Sequence, residues 1–72
     1  MENIDAKKFL TEELALRGYT DIRAYLKDIQ YGEKSQCYVY HVIAVKKITA
    51  SATQHVDNEF HVWSDENGWS MV

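Results

Sequence analysis

The chain has 72 residues, a net charge of −3 and one cysteine, Cys37. That length predicts a single domain over residues 1–72 with a core of marginal size, and one cysteine excludes an internal disulfide. The acidic balance argues against a surface that binds phosphates in general, and no apolar run approaches the ~20 residues needed to cross a bilayer.

The first residues, Met1 to Asp5, lack the basic and apolar regions of a signal peptide, so a reducing cytoplasm is the expected location. The next residues predict a helix over Ile4–Arg17. Ala6, Phe9, Leu10, Leu14 and Arg17 recur near helical spacing, while Lys7, Lys8, Glu12 and Glu13 fill the opposite face. Asn3 or Asp5 is suited to cap the start, with Glu2 and Asp5 near the positive end of the helix dipole. Gly18 is suited to close the helix in the left-handed conformation.

Tyr19 to Tyr31 carries two patterns at once. Ile22, Tyr25, Leu26 and Ile29 fit a helical stripe, whereas Ile22, Ala24 and Leu26 alternate with Arg23, Tyr25 and Lys27 as in a half-buried strand. The strand is preferred because the apolar run further on needs antiparallel neighbours, and Tyr31-Gly32-Glu33-Lys34-Ser35 makes a plausible hairpin loop.

That apolar run, Gln36 to Val45, is β-branched and aromatic almost throughout and reads as a central strand. Lys46 to Thr49 continue it, and Ala50 to Thr53 make a bend. A third strand runs from about Gln54 to Ser64, with Phe60 and Val62 on one face and His61 and Trp63 on the other, and Asp57-Asn58 marks an irregularity. Asn67-Gly68 fits a two-residue type I′ turn. It sets Glu66 opposite Trp69 and Ser64 opposite Met71, and places Trp69 and Met71 on the face of Phe60 and Val62.

The combined expectation is an α+β fold, with one N-terminal helix packed on a three- to four-stranded antiparallel meander. The inner face takes Ile22, Ala24, Leu26, Phe60, Val62, Trp69 and Met71, covered by Phe9, Leu10 and Leu14. The outer face takes Tyr25, Ile29, Tyr31, His61 and Trp63. Tyr38 and Tyr40 are assigned outward as well, because a phenol hydroxyl needs water or a partner.

The residue types for chemistry are sparse. Cys37 and His41 stand ~13 Å apart along one strand, too far to share a zinc ion. His55 and His61 have the same difficulty, so a site would need His41 to lie across from one of them. Cys37 reads as a buried, inert thiol rather than a nucleophile. Asp57, Glu59, Asp65 and Glu66 form a possible carboxylate cluster that turn solvation explains better than acid–base work. No phosphate-binding, dinucleotide-binding or nucleophile-elbow motif occurs. No catalytic residue, cofactor or metal is therefore expected.

The functional expectation is a small non-enzymatic protein-interaction or dimerisation module. Its partner is another protein or a second copy, met through Tyr25, Tyr38, Tyr40, His61 and Trp63, with Arg23 and Lys27 beside them. One alternative is single-stranded nucleic-acid binding on the same aromatics with Arg23, Lys27, Lys34, Lys46 and Lys47, which the net charge disfavours. Another is a small inhibitor or regulatory subunit of a larger enzyme.

Overall fold

The computed structural model describes residues 4–33 and 35–72. A helix, α1 (Ile4–Leu16), is followed by β1 (Tyr19–Tyr31), β2 (Gln36–Thr49), β3 (Ala52–Asp65) and β4 (Gly68–Met71). The strands form one antiparallel sheet in the order β1-β2-β3-β4, a meander. The expected α+β class is found, with four strands. No helix among the described residues is long and apolar enough to cross a membrane.

α1 forms from strong helix formers, with Thr11 the one β-branched residue between Asp5 and Leu16. Asp5 lies in the first turn, where its charge complements the dipole. Asn3 and Glu2, the other residues expected there, lie outside the described residues. The Arg17 N–H donates to the carbonyls of Glu13 and Leu14, and Gly18 follows at a φ of +91°. That conformation suits glycine. The Gly18 carbonyl then accepts from the Lys47 N–H at 3.1 Å, which fixes the helix exit against β2.

The stripe of α1 is Ala6, Leu10 and Leu14, each fully buried, with Phe9 partly so. Arg17, expected to continue it, is exposed. The stripe covers Ala24 of β1, Tyr38, Tyr40, Val42 and Ala44 of β2, and Val62 of β3. Tyr19, Ile22, Leu26, Ile29, Phe60, Trp69 and Met71 pack around this centre. Phe9 stacks on Trp69 with ring centroids 6.2 Å apart, and Tyr19 meets Phe60 edge-on at 6.4 Å.

β1 explains its own mixed pattern. Its pairing with β2 slips between Thr20 and Arg23 and again between Leu26 and Asp28. Each slip is a bulge that adds one residue and turns the following side chains to the other face. The core-facing residues are therefore Tyr19, Ile22, Ala24, Leu26 and Ile29, alternating as in a strand in the middle and spaced by three at each bulge. Ile29 packs on the core rather than facing outward as expected. Tyr31 follows its parity and is exposed at the strand end.

The β2–β3 connection is tighter than the expected bend. Ala50-Ser51 form the turn and β3 already begins at Ala52. The irregularity in this pair lies at Ile48 of β2, between Lys47 and Thr49. Asp57-Asn58, expected to interrupt β3, pair regularly with Ile43 and Val42. The last hairpin turns on Glu66-Asn67, with Asp65 opposite Gly68, Ser64 opposite Trp69 and Val62 opposite Met71. Gly68 alone of the turn residues has positive φ, +107°, as in a type I turn followed by a left-handed glycine rather than a type I′ turn. The Asn67 N–H donates to the Asp65 carboxylate at 2.8 Å. The register thus differs from the expected one by two positions, an even number, and Trp69 and Met71 keep the predicted face.

Candidate functional site

The main correction concerns β2. Tyr38 and Tyr40 face α1 and are buried, Tyr40 completely. Cys37, Val39, His41, Ile43 and Val45 take the helix-free face instead. Strand pairing forces this arrangement: Tyr40 stands between Leu26 and Phe60, and Tyr38 between Ile29 and Val62. Directly opposed residues share a face, so Leu26 and Phe60 cannot point inward while Tyr40 points out. The Tyr38 hydroxyl donates to Gln36 Oε1 at 2.5 Å. That local acceptor supplies the hydroxyl's partner without exposing the ring to water.

Of the residues expected to meet a partner, Arg23, Tyr25, Lys27, His61 and Trp63 do lie on the helix-free face, and Tyr38 and Tyr40 do not. The face is ordered in cross-strand rows. Arg23, Ile43 and Asp57 form one row, and Tyr25, His41 and Glu59 the next. Asp28, Val39 and His61 follow, then Gln30, Cys37 and Trp63. Val39 is buried within this surface, whereas Tyr25 is 54% and Ile43 42% exposed. Ile43, absent from the expected set, is brought in by the reversal of β2.

Several polar groups on this face are paired. Lys27, the extra residue of the second β1 bulge, reaches Glu59 Oε2 at 2.5 Å. The hydrogen bond to Lys27, and then its charge, hold the Glu59 carboxyl below its usual range. The same bond and the Glu59 charge raise the Lys27 ammonium. His41 Nε2 contacts Asp57 Oδ1 diagonally across β2 and β3. His61 Nε2 lies 3.8 Å from Glu59 Oε1. Asp57 and Glu59 are thus engaged with basic groups in mid-sheet, while Asp65 and Glu66 lie at the β3–β4 turn. The four do not form one cluster.

Cys37 is half-buried on the open face rather than sealed in the core, and its Sγ lies 3.9 Å from His61 Nδ1. Sequence spacing directs attention to His41, four residues along the same strand. The thiol meets His61 instead, because Cys37 pairs with Trp63 and Val39 with His61. Only the β2–β3 register reveals that neighbour. The sequence thiol, imidazole, carboxylate, ammonium (Cys37, His61, Glu59, Lys27) runs across an open surface, and α1 aims its N-terminus at none of them because it occupies the other face. Among the described residues, no three His, Cys, Asp or Glu side chains converge as a metal-binding set. His41 stands opposite Glu59 rather than either histidine.

The basic residues considered for nucleic acid do not share one surface. Lys46 lies over the Tyr19 ring, 5.4 Å from its centroid, on the helix side. Lys47 sits where the β2–β3 hairpin leaves β1, and Lys34 lies outside the described residues. Compared with protein-family models, with curated proteins and with solved structures, the chain matches none of them.

Proposed function

We propose that this chain is a non-enzymatic protein-interaction module whose contact surface is the helix-free face of the sheet, centred on Tyr25, Ile43 and Trp63. The observation that carries this reading is the composition of that face. Exposed Tyr25 and Ile43 sit among polar groups that already bind one another, Lys27 with Glu59 and His41 with Asp57. Aromatic and aliphatic anchors within a polar surround whose groups are largely satisfied by one another are what a protein partner can desolvate at low cost. A nucleic acid would instead need uncompensated cations beside the aromatics. On this face Lys27 is already engaged with Glu59, and Arg23 is outnumbered by Asp28, Asp57 and Glu59, which would repel phosphate.

The test is affinity capture from the native cell with wild type, Tyr25→Glu, Ile43→Glu and Glu12→Ala, the last altering the solvent side of α1. The expected result is that both outer-face variants lose the captured proteins, by about tenfold or more, and Glu12→Ala retains them. Capture unaffected by Tyr25→Glu and Ile43→Glu would reject the reading.

A further inference from the structure

β3 is paired with β2 from Ala52 to Trp63, but β4 covers its other edge only at one end. The pairing with β4 runs from Asp65 opposite Gly68 to Val62 opposite Met71. It closes where His61 and Val72 exchange both backbone hydrogen bonds, each 2.9 Å. From Ala52 to Phe60 no other strand among the described residues meets that edge, and every residue of this stretch except Val56 and Phe60 is exposed.

The hydrogen-bonding groups on this edge can be assigned. His61 directs its N–H and C=O toward β4. In an antiparallel strand this direction alternates residue by residue, and β3 is regular from Thr53 to Trp63. Thr53, His55, Asp57 and Glu59 therefore present their N–H and C=O groups to the free edge. The open stretch begins at Ala52, where the chain turns toward β2, and ends at Phe60, beside Val72. Its midpoint is Val56.

We propose that a second copy of this chain pairs antiparallel along this edge, with Val56 on the twofold axis. In that register His55 exchanges bonds with the partner's Asp57, and Thr53 with the partner's Glu59, giving about eight backbone hydrogen bonds in all. The side chains agree with the ladder. His55 is set beside the partner's Asp57 on the helix-free face; Asp57 gives Oδ1 to His41, which leaves Oδ2 to meet the imidazole. Thr53 is set beside the partner's Glu59, and Gln54 beside the partner's Asn58 on the other face. An axis at Asp57 would oppose two carboxylates and push the partner's Ala52 into β4. An axis at His55 would oppose two imidazoles and leave Glu59 unpaired. Val56 centres the longest ladder that stops short of Val72.

This surface is the edge of the sheet, distinct from the face on which the interaction reading rests, so either can fail alone. Light scattering of wild type across micromolar to millimolar concentration is expected to approach twice the 8.4 kDa of one chain, and Tyr25→Glu is expected to leave that mass unchanged. His55→Pro removes an N–H that points to the free edge and none that pairs with β2. It should remain folded by circular dichroism and weaken the dimer by about tenfold or more.

The register is read with single cysteines in a Cys37→Ser background. Val56→Cys alone should form a disulfide-linked dimer. Gln54→Cys and Asn58→Cys should cross-link only when mixed with each other. Wild type that stays at the mass of one chain, a dimer indifferent to His55→Pro, or Gln54→Cys self-linking as readily as Val56→Cys would each overturn the proposal.

Discussion

Asp21 adopts a φ of +51° at the first β1 bulge. Aspartate tolerates that conformation better than most residues, and a β-branched side chain tolerates it poorly. Asp21→Val is therefore expected to cost about 1–2 kcal/mol in chemical denaturation, and Asp21→Gly to cost less. A second residue-scale test concerns Lys27 and Glu59. Because the lysine holds the carboxyl below its ordinary value of 4.5, the stabilisation from Glu59 is present above that value and fades as pH falls through the lowered one. The Lys27 contribution persists below its ordinary 10.5 and is lost as pH rises through the raised value. Both side chains are about half exposed, so little stability is at stake. The sensitive measurement is a carboxyl NMR titration, in which Lys27→Met should return the Glu59 midpoint toward 4.5. At this scale the face of the tyrosines was the least legible feature of the sequence. Each bulge reverses the inside–outside alternation, and the bulges at Asp21-Ile22, Lys27 and Ile48 carry no glycine to announce them. Parity cannot be counted along the chain from one strand to the next without them. The phenol hydroxyl was also a poor guide, since Gln36, two residues away, serves Tyr38.

The elements themselves were readable because each has a local physical signature. The Ala6, Leu10 and Leu14 stripe and Gly18 specify α1 and its end, and the β-branched run specifies β2. What local patterns omit is relative length. α1 has 13 residues, about 20 Å of helix, whereas β2 and β3 have 14 residues each, about 46 Å of strand. The helix therefore covers only part of the sheet, and the hairpin from Ile48 to Gln54 runs past both α1 and β1 with every residue exposed. Amides in Ile48–Ala52 should exchange with deuterium orders of magnitude faster than those of Tyr38–Val42, which lie beneath the helix. Tyr40, fully buried at the centre, sets the opposite limit. Tyr40→Ala should cost about 3–5 kcal/mol. A domain of this size has only ~4–11 kcal/mol in total, so thermal unfolding should show the midpoint of the variant lowered by at least ~12 °C.

For the whole molecule, the layered α+β plan followed from element order, and the expected shortage of cover followed from length. The shortage falls elsewhere than the tyrosine positions suggested. One face of the sheet is left to polar and charged groups with Tyr25, Ile43 and Trp63, and among the described residues no strand meets the β3 edge from Ala52 to Phe60. The long, flat dimensions, 45 × 23 × 17 Å, result from three long strands under one short helix. The 13-residue outer strand β1 would offer any neighbouring chain a template nearly as long as the molecule. Its two supernumerary residues, Asp21 and Lys27, break that template into short, kinked pieces and place a charge at each break. Such bulges and charges disfavour recruitment of further strands on this flank, so the pairing proposed along β3 is expected to stop at two chains rather than propagate into a fibre.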